Sequence, residues 1–156
     1  MKALFICTGN SCRSVMAEFL FNKLVKDMKL ASWEAKSAGT AAQPHFPIPS
    51  GVRKALAGHG ITTVEHTPAL VSPALMRWAT HVFTMTQNHL EALESLHPDH
   101  KAKIALFMEA AGLGKIGVSD PIGKSDALYA QCAAQIEKGI LGVIEKNGKP
   151  TTKTGP

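Results

Sequence analysis

Short apolar runs alternate with stretches of helical periodicity along the chain. Four of these runs have the length and the β-branched or aromatic content of buried strands, at residues 2–6, 33–37, 81–85 and 103–107. Strands that alternate with helices pair in parallel, and their connections cross over in the right-handed sense. The pattern therefore predicts an α/β fold, a small doubly wound four-stranded parallel sheet in the order 2-1-3-4 with helices on both faces.

The helical stretches carry apolar residues at intervals of three and four positions. Ser14 or a neighbour is expected to cap the first helix, whose apolar positions are Met16, Phe19, Leu20, Leu24 and Met28. Ser72-Pro73 opens a later helix, because proline is favoured at the first helical position. Further helices are predicted at 50–57, 87–96 and 125–146, and the apolar face of the last contains Leu128, Cys132, Ile136, Ile140 and Ile144.

Length and composition indicate how many domains the chain can form. At 156 residues the chain suits one domain, which we expect at 1–146, and the polar tail at 147–156 is expected to be disordered. No apolar run approaches the roughly 20 residues that cross a bilayer. The apolar start before Gly9 is also shorter than the core of a signal peptide. The sequence therefore predicts a cytoplasmic protein with no membrane partner.

The charge distribution and the spacing of the cysteines and histidines further limit the possible binding partners and cofactors. The formal net charge is +5, but Lys and Arg are scattered without a dense run, which argues against a nucleic-acid partner. Cys7, Cys12 and Cys132 are too few for a disulfide framework and are expected to be reduced thiols. The seven histidines show no zinc-site spacing, so neither a metal nor an organic cofactor is implied. The oligomeric state is left open, with a monomer favoured.

One loop carries the chemistry, and it reads Cys7-Thr8-Gly9-Asn10-Ser11-Cys12-Arg13-Ser14. Gly9 and Asn10 can adopt positive φ, which turns successive backbone N–H groups inward around an anion. The following helix adds its positive end, and Arg13 supplies a planar fork for two phosphoryl oxygens. The Cys-x5-Arg pattern predicts a phosphate-binding loop that includes Thr8, Gly9, Asn10, Ser11, Cys12 and Ser14.

The position of Cys7 predicts a nucleophile. A helix N-terminus and an arginine both favour the ionised form of a nearby thiol. A thiolate at the base of the loop would lie beneath the phosphorus atom, in line for attack. The Ser14 hydroxyl could donate to that sulfur and help it leave again.

The loop and the following Met16-Ala17-Glu18 closely resemble the signature of the low-molecular-weight protein tyrosine phosphatase family, which also contains bacterial protein-arginine phosphatases. The resemblance continues through Ser37-Ala38-Gly39-Thr40, His66, Met85 and Asp120-Pro121 and covers nearly the whole chain apart from the tail. It implies the fold of that family. It also implies a cysteine-dependent phosphatase that acts on phosphorylated protein side chains through a cysteinyl-phosphate intermediate.

The resemblance further implies a general acid outside the loop. Asp120 matches the residue that protonates the leaving atom in this family and later activates water as a base. Pro121 restricts Asp120 to extended backbone, which aims its carboxyl group instead of placing it in a helix. Cys7, Arg13 and Asp120 are therefore the predicted catalytic residues.

Other matching residues are assigned supporting roles. Asn10, Ser37 and His66 resemble the hydrogen-bond network that holds the phosphate loop in shape. Cys12 is close enough along the chain to Cys7 for a disulfide to form on oxidation, which would protect the nucleophile from irreversible oxidation. Cys132 is predicted to be a core residue of the last helix.

Three positions bear on the substrate. Tyrosine-specific members of the family resemble one another in an aliphatic residue where this chain has Ser11, whereas arginine-specific members have Thr. Ile122 replaces the aromatic residue that tyrosine-specific members usually carry after Asp-Pro, and the Phe that arginine-specific members often have. Phe46 could form an aromatic wall or anchor its loop to the core. The balance favours phosphoarginine, with phosphotyrosine as the alternative.

Two other functions share parts of this pattern. Thioredoxin-coupled arsenate reductases have the same loop but need further cysteines near the middle of the chain, and none lies between Cys12 and Cys132. A non-catalytic phosphate-binding module would require loss of the nucleophile or the acid, yet Cys7 and Asp120 are both present. Both alternatives rank below a phosphatase.

Overall fold

A computed structural model describes residues 1–148 of the chain. Its strands and helices alternate as predicted. In chain order they are β1 Lys2–Cys7, α1 Arg13–Asp27, β2 Glu34–Gly39, α2 Ser50–Ala57, α3 Pro73–Trp78, β3 His81–Thr84, α4 Gln87–Leu96, β4 Ile104–Leu106, α5 Phe107–Ala110 and α6 Asp126–Asn147. A 3₁₀ turn at Pro98–Lys103 precedes β4.

The strands form one parallel sheet in the order β2-β1-β3-β4. The central β1 pairs with β2 from Lys2 opposite Glu34 to Cys7 opposite Gly39. The order is the predicted one and helices cover both faces, so the predicted fold class is confirmed. Because parallel strands end at the same edge, the loops that follow β1, β2 and β3 meet there.

Alternating side chains of β1 divide the interior into two cores. Phe5 and Cys7 face the side covered by α1, α2 and α6, where the rings of Phe5 and Phe21 meet edge to face with centroids 5.8 Å apart. Leu4 and Ile6 face the opposite side, against α3 and α4. The period of two in a strand therefore points Cys7 towards the side of the sheet that carries α1.

The start of α1 differs from the starts of three other helices. Those three have a serine or threonine cap whose side chain accepts a backbone N–H, at Ser72, Thr86 and Ser125. In α1 the cap position is Cys12, which makes no side-chain cap hydrogen bond. Ser14 lies inside the helix and its hydroxyl contacts Cys7 instead, so of the two predicted options, Ser14 or a neighbour, Ser14 is excluded as the cap of α1.

Several boundaries also differ from the predicted ones, and the second strand, predicted at 33–37, runs from Glu34 to Gly39. Lys103 lies in the 3₁₀ turn, where its ammonium group donates to the carbonyl oxygens of Met76 and Ala79, and Phe107 already begins α5. The strand predicted at 103–107 is therefore shortened to β4. At the other end, α6 reaches Asn147, and the rest of the predicted disordered tail, from 149 to 156, lies outside the described residues.

Gly39 at the end of β2 brings the second strand against the loop that follows β1. A Cβ at this position would overlap the carbonyl group of Thr8, so no other residue type fits without a backbone shift. The close approach allows Thr40 N–H to donate to Cys7 O at 3.0 Å and Ala41 N–H to donate to Thr8 O at 2.9 Å. The loop after β1 is thus tied to its neighbour by backbone hydrogen bonds.

Candidate active site

The loop between β1 and α1 turns tightly at the carboxyl edge of the sheet. Asn10 has a positive φ of 54°, as predicted for a loop whose backbone N–H groups turn inward. Gly9, which can also adopt positive φ, does not do so here, and the positive-φ glycines of residues 1–148 lie elsewhere. A Cβ on Gly9 would meet the Phe46 ring at 3.5 Å and Ser11 Oγ at 3.6 Å, so glycine leaves space at this point for a ligand.

Cys7 lies at the base of this loop in a chain of polar contacts. It is 3% exposed, and its Sγ is 2.9 Å from Ser14 Oγ. The amide nitrogen of Asn10 lies 2.8 Å from Ser14 Oγ and 2.9 Å from Ser37 Oγ. The loop residues predicted to cooperate are therefore in contact with one another and with the predicted supporting residue Ser37.

The backbone N–H of Ala69 determines the direction of these hydrogen bonds. It donates to Asn10 Oδ1 at 2.9 Å, so the amide nitrogen of Asn10 must face the two serines. That nitrogen donates one hydrogen to Ser14 and the other to Ser37, which leaves the Ser14 hydroxyl hydrogen for Cys7. The Ser14 hydroxyl therefore donates to the Cys7 sulfur.

His66 and Glu18 complete the support around the Asn10 amide. His66 Nε2 lies 3.0 Å from Asn10 Oδ1 and 3.1 Å from its backbone oxygen, and since both are acceptors, Nε2 carries a hydrogen. Ser37 donates to Glu18 Oε1 at 2.5 Å, and the same carboxylate oxygen lies 3.9 Å from His66 Nδ1. Burial raises the pKa of Glu18, although the hydrogen bond from Ser37 and the nearby His66 act in the opposite direction.

Arg13 connects the loop to the segment that carries Asp120. Its side chain is only 8% exposed, and Nη1 donates to the carbonyl oxygen of Val118 at 3.0 Å. Nη2 lies 3.7 Å from Asp120 Oδ2. The Asp120 side chain is 49% exposed and its Oδ1 accepts the backbone N–H of Ile122 at 3.0 Å. The predicted acid therefore lies near Arg13 on the open side of the loop.

One cavity of about 420 Å³ joins these groups. It is lined by Cys7, Thr8, Gly9, Ser11, Cys12, Arg13, Phe46, Pro47, Pro49, Asp120 and Ile122. Phe46 forms part of the cavity wall, which was one of the two roles suggested for it by the sequence; the other was to anchor its loop to the core. Because a thiol, a guanidinium and a carboxyl group line the same cavity, all three can contact a single bound group.

Comparison with known families identifies the class of protein to which this arrangement belongs. The family model for low molecular weight phosphotyrosine protein phosphatases matches residues 2–150. The chain belongs to this family.

Relatives within the low molecular weight phosphatase family carry two kinds of name. The protein-arginine-phosphatase of Bacillus subtilis (strain 168) is 30% identical over 138 residues, covering 88% of this chain and 91% of the relative. A solved structure of the YwlE arginine phosphatase, with the active-site cysteine replaced by a phosphorylated serine, superimposes with a TM-score of 0.90 at 28% identity and covers 97% of this chain and 98% of that one. The solved structure of the low molecular weight protein tyrosine phosphatase from T. tengcongensis gives a TM-score of 0.88 at 36% identity. The match covers 94% of this chain and 99% of that one.

A second polar cluster in this family member joins the loop to α4. Thr8 Oγ1 lies 2.8 Å from His89 Nε2, and His89 Nδ1 lies 2.9 Å from Thr86 Oγ1. His89 is 7% exposed. Burial first, and then the guanidinium of Arg13, lower its pKa to about 4, while Asp120 acts weakly in the opposite direction. The imidazole is therefore neutral at physiological pH.

Glu18 and His89 contact the site residues, although the sequence motifs assigned neither of them a role there. A signal exists for Glu18, since it follows Ser14 by four positions and so lies on the same face of α1. His89 lies at the third helical position after Thr86, but nothing in the sequence shows that Thr8 is near it. That proximity depends on the pairing of β1 with β3, a contact between residues distant along the chain.

Cys12 and Cys132 differ from Cys7 in their surroundings. All three cysteines are buried and unbridged. Burial raises the pKa of the Cys132 thiol to about 12, and it raises that of Cys12 further above the ordinary value. Cys132 belongs to the main core, as predicted, and its Sγ lies 3.7 Å from Ser119 O. Both thiols are far less prepared to ionise than an ordinary cysteine.

Two general properties complete the description of residues 1–148. No group of three or more His, Cys, Asp or Glu side chains in this part of the chain is placed to hold a metal ion. None of the helices described for it is both long and apolar enough to cross a membrane.

Proposed function

We propose that this protein removes phosphate from phosphorylated arginine side chains of proteins, with Cys7 as the nucleophile of a cysteinyl-phosphate intermediate. The observation that carries the proposal is the directed hydrogen bond from Ser14 to Cys7, in a cavity that Arg13 and Asp120 also line. A buried sulfur that receives a hydroxyl hydrogen is prepared to attack as a thiolate. A guanidinium and a carboxyl group nearby provide charge stabilisation and proton transfer.

The first chemical step transfers the phosphoryl group to Cys7. The thiolate forms a bond to phosphorus while the bond from phosphorus to the guanidine nitrogen of the substrate breaks. Arg13 and the backbone N–H groups of the loop hold the phosphoryl oxygens. Asp120 gives its proton to the departing nitrogen, so arginine leaves in its stable protonated form.

The second step releases phosphate. Asp120, now a carboxylate, accepts a proton from a water molecule whose oxygen attacks phosphorus. The bond between phosphorus and sulfur breaks, and the Ser14 hydroxyl stabilises the thiolate that leaves. The exposure of Asp120 suits this role, since water can reach its carboxylate from the open side of the cavity. The phosphorylated serine that replaces the active-site cysteine in the related arginine phosphatase supports such an intermediate at Cys7.

The walls of the cavity support phosphoarginine as the substrate. Ser11 lines the cavity and its hydroxyl can accept a hydrogen bond from a guanidinium nitrogen, which a phenol ring cannot offer. Ile122 replaces the aromatic residue that would stack on a phenol. Two relatives named protein-arginine-phosphatase, from Geobacillus stearothermophilus and Bacillus subtilis, match 93% and 88% of the chain.

Phosphotyrosine is the second candidate, and one observation favours it. Phe46 lies in the cavity wall, beside Gly9, where its ring could pack against the phenol ring of a phosphotyrosine. The relative from T. tengcongensis, named a protein tyrosine phosphatase, is also 36% identical. The two candidates therefore share the chemistry at Cys7 and differ only in the group that enters the mouth of the cavity.

Two measurements test these proposals in order. Hydrolysis of a generic aryl phosphate by the wild type and by Cys7→Ser tests the chemistry, and equal rates would exclude Cys7 as the nucleophile. Values of kcat/KM for matched phosphoarginine and phosphotyrosine peptides then test the substrate. We expect phosphoarginine to be preferred, Ser11→Thr to keep that preference and Ser11→Ile to reverse it. A strong wild-type preference for phosphotyrosine would contradict the proposal.

A further inference from the structure

The contact between Thr8 and His89 has no part in the phosphoryl transfer described above. Thr8 is an exposed residue that lines the cavity directly after Cys7. His89 is a buried residue of α4 and approaches the loop from behind. A buried imidazole held 2.8 Å from the hydroxyl of a cavity residue can determine which way that hydroxyl points.

The hydrogen bonds of Thr86 indicate which nitrogen of the His89 imidazole carries the hydrogen. The Thr86 hydroxyl oxygen accepts the backbone N–H of His89 at 3.4 Å, as the cap of α4, and its own hydrogen remains available for donation. Among the residues the structure describes, the hydrogen-bond partner in reach is His89 Nδ1, at 2.9 Å. Thr86 therefore donates to Nδ1. In a neutral ring the hydrogen then lies on Nε2, which faces Thr8.

We propose that His89 is a positioning residue whose Nε2–H donates to Thr8 Oγ1, so that the Thr8 hydroxyl hydrogen points into the cavity and donates to the anionic group of the substrate. The inference rests on the proposed function in assuming that this group is a phosphoryl group. It adds a side-chain donor at the rim of a loop whose other donors are backbone N–H groups and Arg13.

The surroundings of His89 keep the ring in the required form. The nearby charged groups are Arg13, whose positive charge opposes a second proton on the ring, and Asp120, which favours one weakly. Burial and Arg13 together lower the pKa of His89, so Nδ1 stays available to Thr86 at physiological pH. A protonated ring would carry hydrogens on both nitrogens and would force the Thr86 hydroxyl to turn away.

Binding of inorganic phosphate, measured by calorimetry, tests the proposal without turnover. Thr8→Val keeps the shape of the side chain and removes the hydroxyl, and we expect it to weaken phosphate binding on the order of tenfold, as for one hydrogen bond to a charged group. Thr8→Ser keeps the hydroxyl and should restore most of the affinity. Asn88→Ala, at the exposed neighbour of His89 on α4, is the matched control and should bind as the wild type does.

A double-mutant cycle then tests whether His89 acts through Thr8. We expect His89→Leu alone to weaken phosphate binding about as much as Thr8→Val, on the order of tenfold. His89→Gln places an amide nitrogen near the position of Nε2 and should recover most of the loss. In the Thr8→Val protein, both His89 substitutions should have no further effect. Losses that multiply, about a hundredfold in the double variant, would overturn the proposal.

A measurement on the wild-type protein keeps the test decisive if His89→Leu does not fold. The ¹⁵N spectrum of the imidazole rings distinguishes a protonated from an unprotonated nitrogen. We expect His89 at pH 7 to carry its hydrogen on Nε2, and a hydrogen on Nδ1 would overturn the proposal. These results are independent of turnover, whereas failure of the proposed function would appear as aryl phosphate hydrolysis that survives Cys7→Ser.

Discussion

The two sides of the Cys7 cavity are built in opposite ways. On the inner side, Asn10 is fully buried and its amide group is held by two serines, a backbone N–H and His66. On the outer side, Asp120 is half exposed, and its contacts are the backbone N–H of Ile122 and a 3.7 Å approach to Arg13.

The difference separates two tasks in one site. The Asn10 amide group is held by fixed hydrogen bonds on the inner side, so the position of Ser14 beside Cys7 is set before substrate arrives. The outer side must exchange partners during the reaction, since the proposed acid meets the leaving nitrogen first and water afterwards. We therefore expect substitutions on the inner side to affect folding and catalysis together, and those on the outer side to affect catalysis alone.

Asp120→Asn gives the largest expected effect and tests the outer side. Loss of the proton donor should lower kcat by roughly 10²–10⁴-fold. The free energy of unfolding should change by less than about 0.5 kcal/mol, because the side chain is half exposed. Steady-state kinetics and urea unfolding measure the two quantities. Asp126→Asn, at an exposed acid on α6, is the control and should keep its rate, whereas a wild-type rate in Asp120→Asn would exclude Asp120 as the acid.

Asn10→Ala tests the inner side. It leaves several buried polar partners without a hydrogen bond and places Ala at positive φ, so we expect unfolding to become easier by about 4 kcal/mol. The rate with aryl phosphate should fall as well, because Ser14 is then free to turn away from Cys7. Urea unfolding and steady-state kinetics provide the measurement. A variant that keeps wild-type stability would remove the contrast between the two sides.

The pH dependence of stability tests the buried histidine next to the loop. The folded protein holds the pKa of His89 at about 4, below the ordinary 6.5, so the unfolded chain binds a proton between these values that the folded chain does not. The contribution of His89 to stability is therefore complete above pH 6.5. It is lost as the pH falls towards 4, by up to about 3 kcal/mol.

The free energy of unfolding, measured by urea between about pH 6.5 and 4.5, should fall less steeply with decreasing pH in His89→Gln than in the wild type. Glu18, whose pKa is raised, acts in the opposite direction, but it does so in both proteins and cancels in the comparison. Identical slopes for the two proteins would show that His89 does not titrate differently on folding.

Ile122→Phe gives the smallest expected effect and tests whether residue 122, on the outer side of the cavity, contacts the substrate. Ile122 is 51% exposed, so the change in the free energy of unfolding should lie within about 0.5 kcal/mol. An aromatic ring at the mouth should raise kcat/KM for a phosphotyrosine peptide a few-fold by stacking, on the order of 1 kcal/mol. Peptide kinetics on the wild type and the variant measure the change. An unchanged value would mean that residue 122 does not contact the substrate.

Hydrophobic periodicity was enough to predict the strands and helices, since a short apolar strand and an amphipathic helix are local patterns. The order of the sheet was predicted from the general rule for crossovers between parallel strands. The bounds of α2 and α4 agree with prediction because strong breakers flank them, Pro49 and Gly58 for α2 and Pro98 after α4. The anion loop was visible for the same reason, since its residues lie within eight positions of one another.

Features that depend on contacts across the chain could not be predicted. The direction of the Ser14 hydroxyl depends on Ala69, which lies 59 positions from Asn10. The role of His89 depends on a residue 81 positions away. Within the loop, Ser14 does not cap α1 and Gly9 does not use positive φ, because the local preferences of these residues are overridden by the geometry of the loop.

The hydrogen bond from Arg13 to Val118 also has a consequence for the order of events during synthesis. It joins residues 105 positions apart, so the guanidinium cannot reach its final place until about three quarters of the chain has left the ribosome. Until then the Arg13 side chain, although it is already in the loop with Cys7 and Cys12, lacks the Val118 carbonyl oxygen that holds it in place. The nascent polypeptide is therefore expected to acquire phosphatase competence only late in translation.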